Sequence, residues 1–325
     1  MTVLVAEERE STERESLVLG VASTEPACTD RSVAFPGRPA GLAIGSDGAL
    51  VASDATSRMV WRIDLGGRRM LAVAPAGDAT SAANRVLSPA GLALGPDGTL
   101  VVADVTGHRV WAVRPDGELR LVAGSAYGYR DGAYNEALFR YPSGVAIGPD
   151  GTCYVADTGN DRIRTITPDG VVNTLGGSIY DYGDGRGPAA WFRRPQAITV
   201  DEAGTCYVAD TGNNAIRRIT PDGEVTTFVG SPLGGDHDGV GAEVGMRWPT
   251  GLALGPDGDL WVADYGNGAL RRIDHSGAST TRLRLSGRRW PVAVASAPHG
   301  RMVVAIVVLD DVRRPRACLI SVDAG

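Results

Sequence analysis

A proline and an aspartate recur fifteen residues apart along most of this chain, at Pro39/Asp54, Pro89/Asp104, Pro142/Asp157, Pro195/Asp210 and Pro249/Asp264. The text around them is nearly the same. Residues 141–177 read YPSGVAIGPDGTCYVADTGNDRIRTITPDGVVNTLGG, and residues 194–230 read RPQAITVDEAGTCYVADTGNNAIRRITPDGEVTTFVG. A sixth, decayed copy starts at Pro291, with Gly300 at the turn and Ile306 in place of the aspartate. Self-similarity at a period of roughly 40 to 50 residues is the signature of propellers and solenoids, in which each unit buries its apolar face only against its neighbours.

One copy also defines the unit. SGVAIG and TCYVAD are short apolar runs joined by a PDG turn, and RIRTITP and VVNTLGG are two more joined by a second PDG. Proline presets φ for such a turn and glycine accepts a positive φ, so four short strands form an antiparallel meander. No segment has helical periodicity of useful length. The fold class is therefore all-β, a six-bladed β-propeller of four-stranded antiparallel blades.

The consensus P-x-G-(apolar)-A, DG, VAD-x-G-N-x-x-I-R and PDG resembles the NHL repeat. The links DGAYNEALFRYP, DGRGPAAWFRRP and DGVGAEVGMRWP are similar to the links between blades in that family. Copies three to five match closely, copy two well, and copies one and six are degenerate, so the resemblance runs from about Gly37 to the C-terminus. It implies the fold and says little of function, because propellers of this family include binding, sensing and enzymatic members.

At the C-terminal end the sixth copy supplies only three strands, near Val292–Ala297, Met302–Leu309 and Ala317–Val322. An open edge would remain, and Leu17–Ala22 is the unassigned β-like run able to cover it. Residues 16–24 are thus expected to be the fourth strand of blade six, within a single domain spanning 16–325. Residues 1–15, rich in acids, are expected to be a disordered tail.

Composition narrows the chemistry. The net charge is −6, and all 32 basic residues are arginine, which excludes lysine Schiff-base chemistry and a phosphate-binding P-loop. The four cysteines (Cys28, Cys153, Cys206 and Cys318) have no CxxC spacing and read as small buried hydrophobes in a reducing compartment. Without a signal-like start or a run of about 20 apolar residues, the expectation is a cytoplasmic, membrane-independent and monomeric protein. Nucleic acid is an unfavoured partner for an acidic chain without lysine.

Function should sit on the face where the chain varies, formed by the second-to-third strand turns and the links between blades. Tyr127, Tyr129, Tyr180 and Tyr182 fall in equivalent links and are expected to form one aromatic patch. Arg130, Arg162 and Arg186 lie beside them in sequence, and Tyr with Arg is the pairing enriched at recognition hot spots. The favoured function is therefore a binding module for a protein, peptide or small-molecule ligand, including a small anionic one. The alternative is an enzyme of hydrolase, lyase or isomerase/cyclase type at the mouth of the central channel. His237, flanked by Asp236 and Asp238, and His108 are its catalytic candidates, because a carboxylate can orient an imidazole as a base. No metal site or cofactor is expected, since HExxH and histidine-ring patterns are missing from the sequence. The repeated aspartates read as turn caps. Phe139, Trp191, Phe192, Met246 and Trp248 read as packing between blades.

Overall fold

The computed structural model describes residues 33–35, 38–45, 48–54, 56–63, 70–72, 85–297, 300–309 and 315–323. Six antiparallel sheets follow one another around a central channel as the blades of a propeller. Blade one comprises Pro39–Ile44, Leu50–Asp54, Met59–Ile63 and Met70–Ala72; blade two comprises Pro89–Leu94, Leu100–Asp104, Arg109–Val113 and Leu119–Ala123. Blade three runs through Pro142–Ile147, Cys153–Asp157, Arg162–Ile166 and Val171–Gly176, and blade four through Pro195–Val200, Cys206–Asp210, Ala215–Ile219 and Glu224–Gly230. Each of these two gains a fifth, two-residue strand from the preceding link, Gly132–Ala133 and Gly185–Arg186. Blade five is Pro249–Leu254, Leu260–Asp264, Ala269–Ile273 and Ser279–Arg284.

The fifteen-residue spacing is a register. Each repeat proline faces its repeat aspartate across the first hairpin, as in Pro142 opposite Asp157, and in the decayed copy Pro291 faces Ile306. Blade six contains Arg289–Ala297, Arg301–Leu309 and Pro315–Asp323. Its outer edge is taken by Val33–Phe35, which pairs antiparallel with Ala317–Leu319. That differs from the expectation of residues 16–24, which lie outside the described residues. Val33, Ala34 and Phe35 form a run too short to stand out in the sequence.

The inner strands alternate between two apolar faces, so each blade packs on both neighbours. In blade one Leu42, Leu50 and Ala52 face blade six, while Ala43, Val51 and Val60 face blade two. Six such clusters occupy the six junctions, including the one that packs blade six on blade one. Toward the axis the first strands approach backbone to backbone. A Cβ at Gly144 would stand 2.5 Å from the Gln196 carbonyl oxygen, and one at Gly251 would stand 2.8 Å from Ala293 Cα. That is why this position carries glycine, or alanine at most, around the ring. Cys153, Cys206 and Cys318 are buried free thiols, and burial pushes the Cys153 thiol up to about 12. Among the described residues no helix is long and apolar enough to cross a membrane.

Candidate functional site

The repeat aspartates end the second strands at the face where the links run. All five are fully buried, and the third to fifth carry the same set of donors. Asp157 accepts the Arg140 N–H at 2.7 Å, the Asn160 amide at 2.8 Å and the Arg164 guanidinium at 2.8 Å. Asp210 does so with Arg193, Asn213 and Arg217, and Asp264 with Arg247, Asn267 and Arg271. Burial pushes the Asp157 and Asp210 carboxyls up to about 6, against the pull of these donors. Each arginine then reaches the aspartate of the incoming link: Arg164 to Asp131, Arg217 to Asp184, Arg271 to Asp238. The acids are architectural, but in these three blades they brace turn and link through Asn and Arg side chains and make no cap bond to the turn's own N–H groups, so they are not the turn caps expected.

This bracing sets two residues on the same face in each of blades three to five, of which Arg193, Arg194 and Trp248 reach the mouth of the channel. The residue before the repeat proline adopts a left-handed conformation at Tyr141, Arg194 and Trp248, with φ of 51°, 50° and 51°. Residues before proline normally stay extended, so something must compensate. The compensation is a hydrogen bond from the preceding blade: the Tyr141 N–H donates to His108 Nδ1, the Arg194 N–H to Asp161 and the Trp248 N–H to Asn214. His108 is thereby a structural acceptor. Its desolvation holds the imidazole below the usual histidine value, with the Asp104 charge opposing and the Arg109 charge assisting.

One residue earlier stand Arg140, Arg193 and Arg247, whose carbonyls accept the N–H of Gly159, Gly212 and Gly266. A Cβ on any of these glycines would lie 2.5 Å from the arginine Cγ, so the TGN and YGN glycines make room for the arginine stems. All three arginines are exposed. Arg140 lies over the Tyr127 ring at 5.1 Å and Arg193 over Tyr180 at 4.6 Å.

A cavity of about 790 Å³ fills the channel and opens at this face toward blades four and five. Its depth is lined by the small and apolar residues of the first strands. Its mouth carries Arg193, Arg194, Tyr180, Trp248 and Tyr265, with Arg38 across the opening. Tyr180 and Trp248 are 50% and 54% exposed. No aspartate, glutamate, histidine or cysteine lines the cavity among the described residues. A net-negative chain thus presents a cavity whose charged groups are all cationic and whose mouth carries three aromatic rings. Such a mouth suits an anion with a flat or apolar body.

The sequence candidates separate into different places. Tyr180 is at the mouth, whereas Tyr127 packs edge-on with His108 and Tyr141 between blades two and three. Tyr129 and Tyr182 do not join them in one patch. They cover the bracing arginines of their own blades, with Arg164 and Arg217 at 5.1 and 5.0 Å, and their hydroxyls meet Thr174 and Thr227. Arg162 lies over Tyr129 at 4.0 Å and donates to the Asn160 carbonyl; Arg130 donates to the Glu136 carbonyl. Arg186 belongs elsewhere, because its short strand pairs beside the PDG turn and directs it to Asp222. His237 is exposed, and its flanking carboxylates turn away from it, Asp236 to Arg271 and Arg284 and Asp238 to Arg271 and Thr281. The sequence order Asp-His-Asp therefore does not produce a carboxylate-oriented imidazole.

Phe139, Phe192 and Met246 are fully buried, in keeping with packing, but Trp248 is not. Its left-handed backbone swings the indole to the mouth. Arg193 and Arg194, which with Arg247 read in the sequence only as a patch able to touch phosphates, also stand at the mouth. The signal for all three was available: each precedes a repeat proline by one or two residues.

Residues 87–112, 139–166 and 246–273 match the NHL repeat. Among curated proteins the chain is 29% identical over 173 residues to SUPPRESSOR OF QUENCHING 1, chloroplastic, of Arabidopsis thaliana, covering 49% of this chain and 16% of that protein. It is 31% identical over 164 residues to NHL repeat-containing protein 2 of Bos taurus, covering 45% of this chain and 22% of that one. The chain therefore spans less than a quarter of either relative. Among solved structures it resembles virginiamycin B lyase from Staphylococcus aureus, with a TM-score of 0.57 and 19% identity over 86% of this chain and 83% of that one. At that identity the likeness is one of fold. The chain thus carries three matches to the NHL repeat within a six-bladed β-propeller fold.

Proposed function

We propose that the protein is a binding propeller whose ligand is a small anion with a planar or apolar body, held at the channel mouth between blades four and five. The observation that carries this reading is the lining: three arginines and three aromatic rings around one cavity, with no carboxylate among the described residues. Arg193 and Arg194 would receive the anionic group, and Trp248 and Tyr265 would flank its body. Acid–base catalysis is the weaker reading, because His108 is committed to the Tyr141 N–H and His237 lies on an exposed link away from the lining.

A thermal-shift series tests this with phenyl phosphate, benzoate and citrate as probes and benzylamine as the cationic counterpart. A ligand at 100 times its Kd adds about 2.7 kcal/mol of stability, so an anion should raise Tm by several degrees and benzylamine should not. Arg194→Gln should weaken the anion by about tenfold or more, the loss of one charge-assisted hydrogen bond. No shift with any of the three anions, or equal shifts in wild type and Arg194→Gln, would remove the proposal.

A further inference from the structure

The same face carries a second feature, which shares Arg193, Tyr180 and Trp248 with the cavity mouth and extends beyond it. Arg140, Arg193 and Arg247 occupy one position in three consecutive blades, and each stem lies on the glycine of its own turn. Among the described residues none of the three guanidinium groups forms a hydrogen bond or ion pair. Arg164, Arg217 and Arg271, one layer below, are each held by two or three aspartates. Asp161, which feels the charges of Arg140 and Arg194, is taken by the Arg194 N–H. Exposed apolar side chains lie on the same links: Tyr127 under Arg140 and Tyr180 under Arg193, with Tyr141 and Trp248 next in sequence to Arg140 and Arg247, and Ile179 and Leu233 on the links entering blades four and five. Leu233 is 96% exposed. It is the grouping of exposed apolar side chains along one face, rather than any one of them, that marks an interaction surface.

We propose that this arc is a docking surface for an extended acidic peptide whose carboxylates recur at every third residue. Neighbouring sheets pack face to face at about 10 Å, which gives the order of the step between equivalent residues of consecutive blades. An extended chain in the polyproline II conformation advances about 3.1 Å per residue with three residues per turn, so side chains at i, i+3 and i+6 lie on one face and repeat at about the same step. Aliphatic residues between the acids would rest on Tyr127, Ile179, Tyr180 and Leu233. Charge complementarity selects an acidic partner. The aliphatic members of the surface, Ile179 and Leu233, favour peptide side chains over stacked bases, and the sequence contains no lysine for a continuous phosphate track.

The test is fluorescence anisotropy with the whole chain and labelled nine-residue peptides. One peptide carries aspartate at positions 1, 4 and 7 with leucine and serine between; another has the same composition with the three aspartates adjacent; a single-stranded DNA of nine thymidines is the third probe. The spaced peptide should bind, with affinity falling as NaCl rises. Arg140→Gln, Arg193→Gln and Arg247→Gln should each weaken it by about two- to fivefold, multiplying to about ten- to a hundredfold in the triple variant. Circular dichroism of the triple variant verifies that it is folded, and Arg186→Gln, at the opposite edge of blade four, is the control for loss of charge alone. Equal binding of the two peptides, an unaffected triple variant, or tighter binding of the oligonucleotide through the same arginines would overturn the proposal. Arg140 and Arg247 do not line the cavity, so the Arg140→Gln/Arg247→Gln variant should keep its affinity for phenyl phosphate. Failure of the arc is therefore separable from failure of the channel mouth.

Discussion

Blades three to five and blades one and two use the same strand register but different braces. Seven residues after the repeat aspartate the former carry Arg164, Arg217 and Arg271, and the latter carry Trp61 and Trp111. In the arginine blades one side chain ties the buried aspartate to the incoming link. In blade two Trp111 offers a single long contact, Nε1 to Asp104 at 3.4 Å, and the other donors to that aspartate are backbone N–H groups of Leu87, Ser88 and Gly107. A tryptophan fills volume, whereas an arginine fixes a loop. Tyr180, Arg193, Arg194 and Trp248 of the mouth lie on links fixed in this way, so stability and presentation of that part of the site come from the same ion pairs.

The sharpest way to break the comparison is to remove one brace of each kind. Arg217→Leu leaves Asp210 buried without its charge partner and should cost about 3–5 kcal/mol, whereas Trp111→Leu should cost about 2 kcal/mol of lost packing. Denaturant unfolding measures both, and equal costs would erase the distinction. A second probe acts on the arginine stem: Gly212→Ala places a Cβ 2.6 Å from the Arg193 carbonyl oxygen. That overpacking should cost about 1–3 kcal/mol and should weaken phenyl phosphate at the same time.

The chain revealed its frame more readily than its site, for physical reasons. Period, turn chemistry and the Pro39/Asp54-type spacing act locally, so register and blade number follow from residues close in sequence. The edge strand of blade six depends on a pairing across the whole chain, and residues 16–24 simply looked more strand-like than Val33–Phe35. The site depends on direction. Tyr180 and Tyr182 are two residues apart, yet one faces the mouth and the other covers Arg217. Trp248 read as an interblade anchor because its neighbour Met246 is one; only the left-handed backbone before Pro249 separates them. His237 shows the converse, since adjacent acids in sequence turn to different partners in space.

Smaller effects should be common to all blades. Thr211 Oγ1 donates to the Pro249 carbonyl and Ser53 Oγ to the Ala90 carbonyl, both at 2.6 Å and both between blades. Thr211→Val and Ser53→Ala should each cost about 1 kcal/mol, so a large difference between them would show that bracing changes the junctions as well. The smallest effect is pH-dependent. His108 has a depressed folded-state pKa, so its contribution is present above the ordinary histidine value of 6.5 and is lost as pH falls through the folded value. His108→Asn keeps an acceptor for the Tyr141 N–H, as Asn214 does for Trp248, without titrating. Thermal melts from pH 7.5 to 5 should fall more steeply for wild type than for His108→Asn, and parallel curves would contradict the role assigned to Nδ1.

The most direct measurement is a crystal soaked with 4-bromophenyl phosphate, located by the anomalous signal of bromine. The account predicts a single strong peak inside the channel mouth, beside Trp248 and Tyr265, with the phosphate on Arg193 or Arg194. A peak on another face, or a mouth left vacant at saturating ligand, would contradict it.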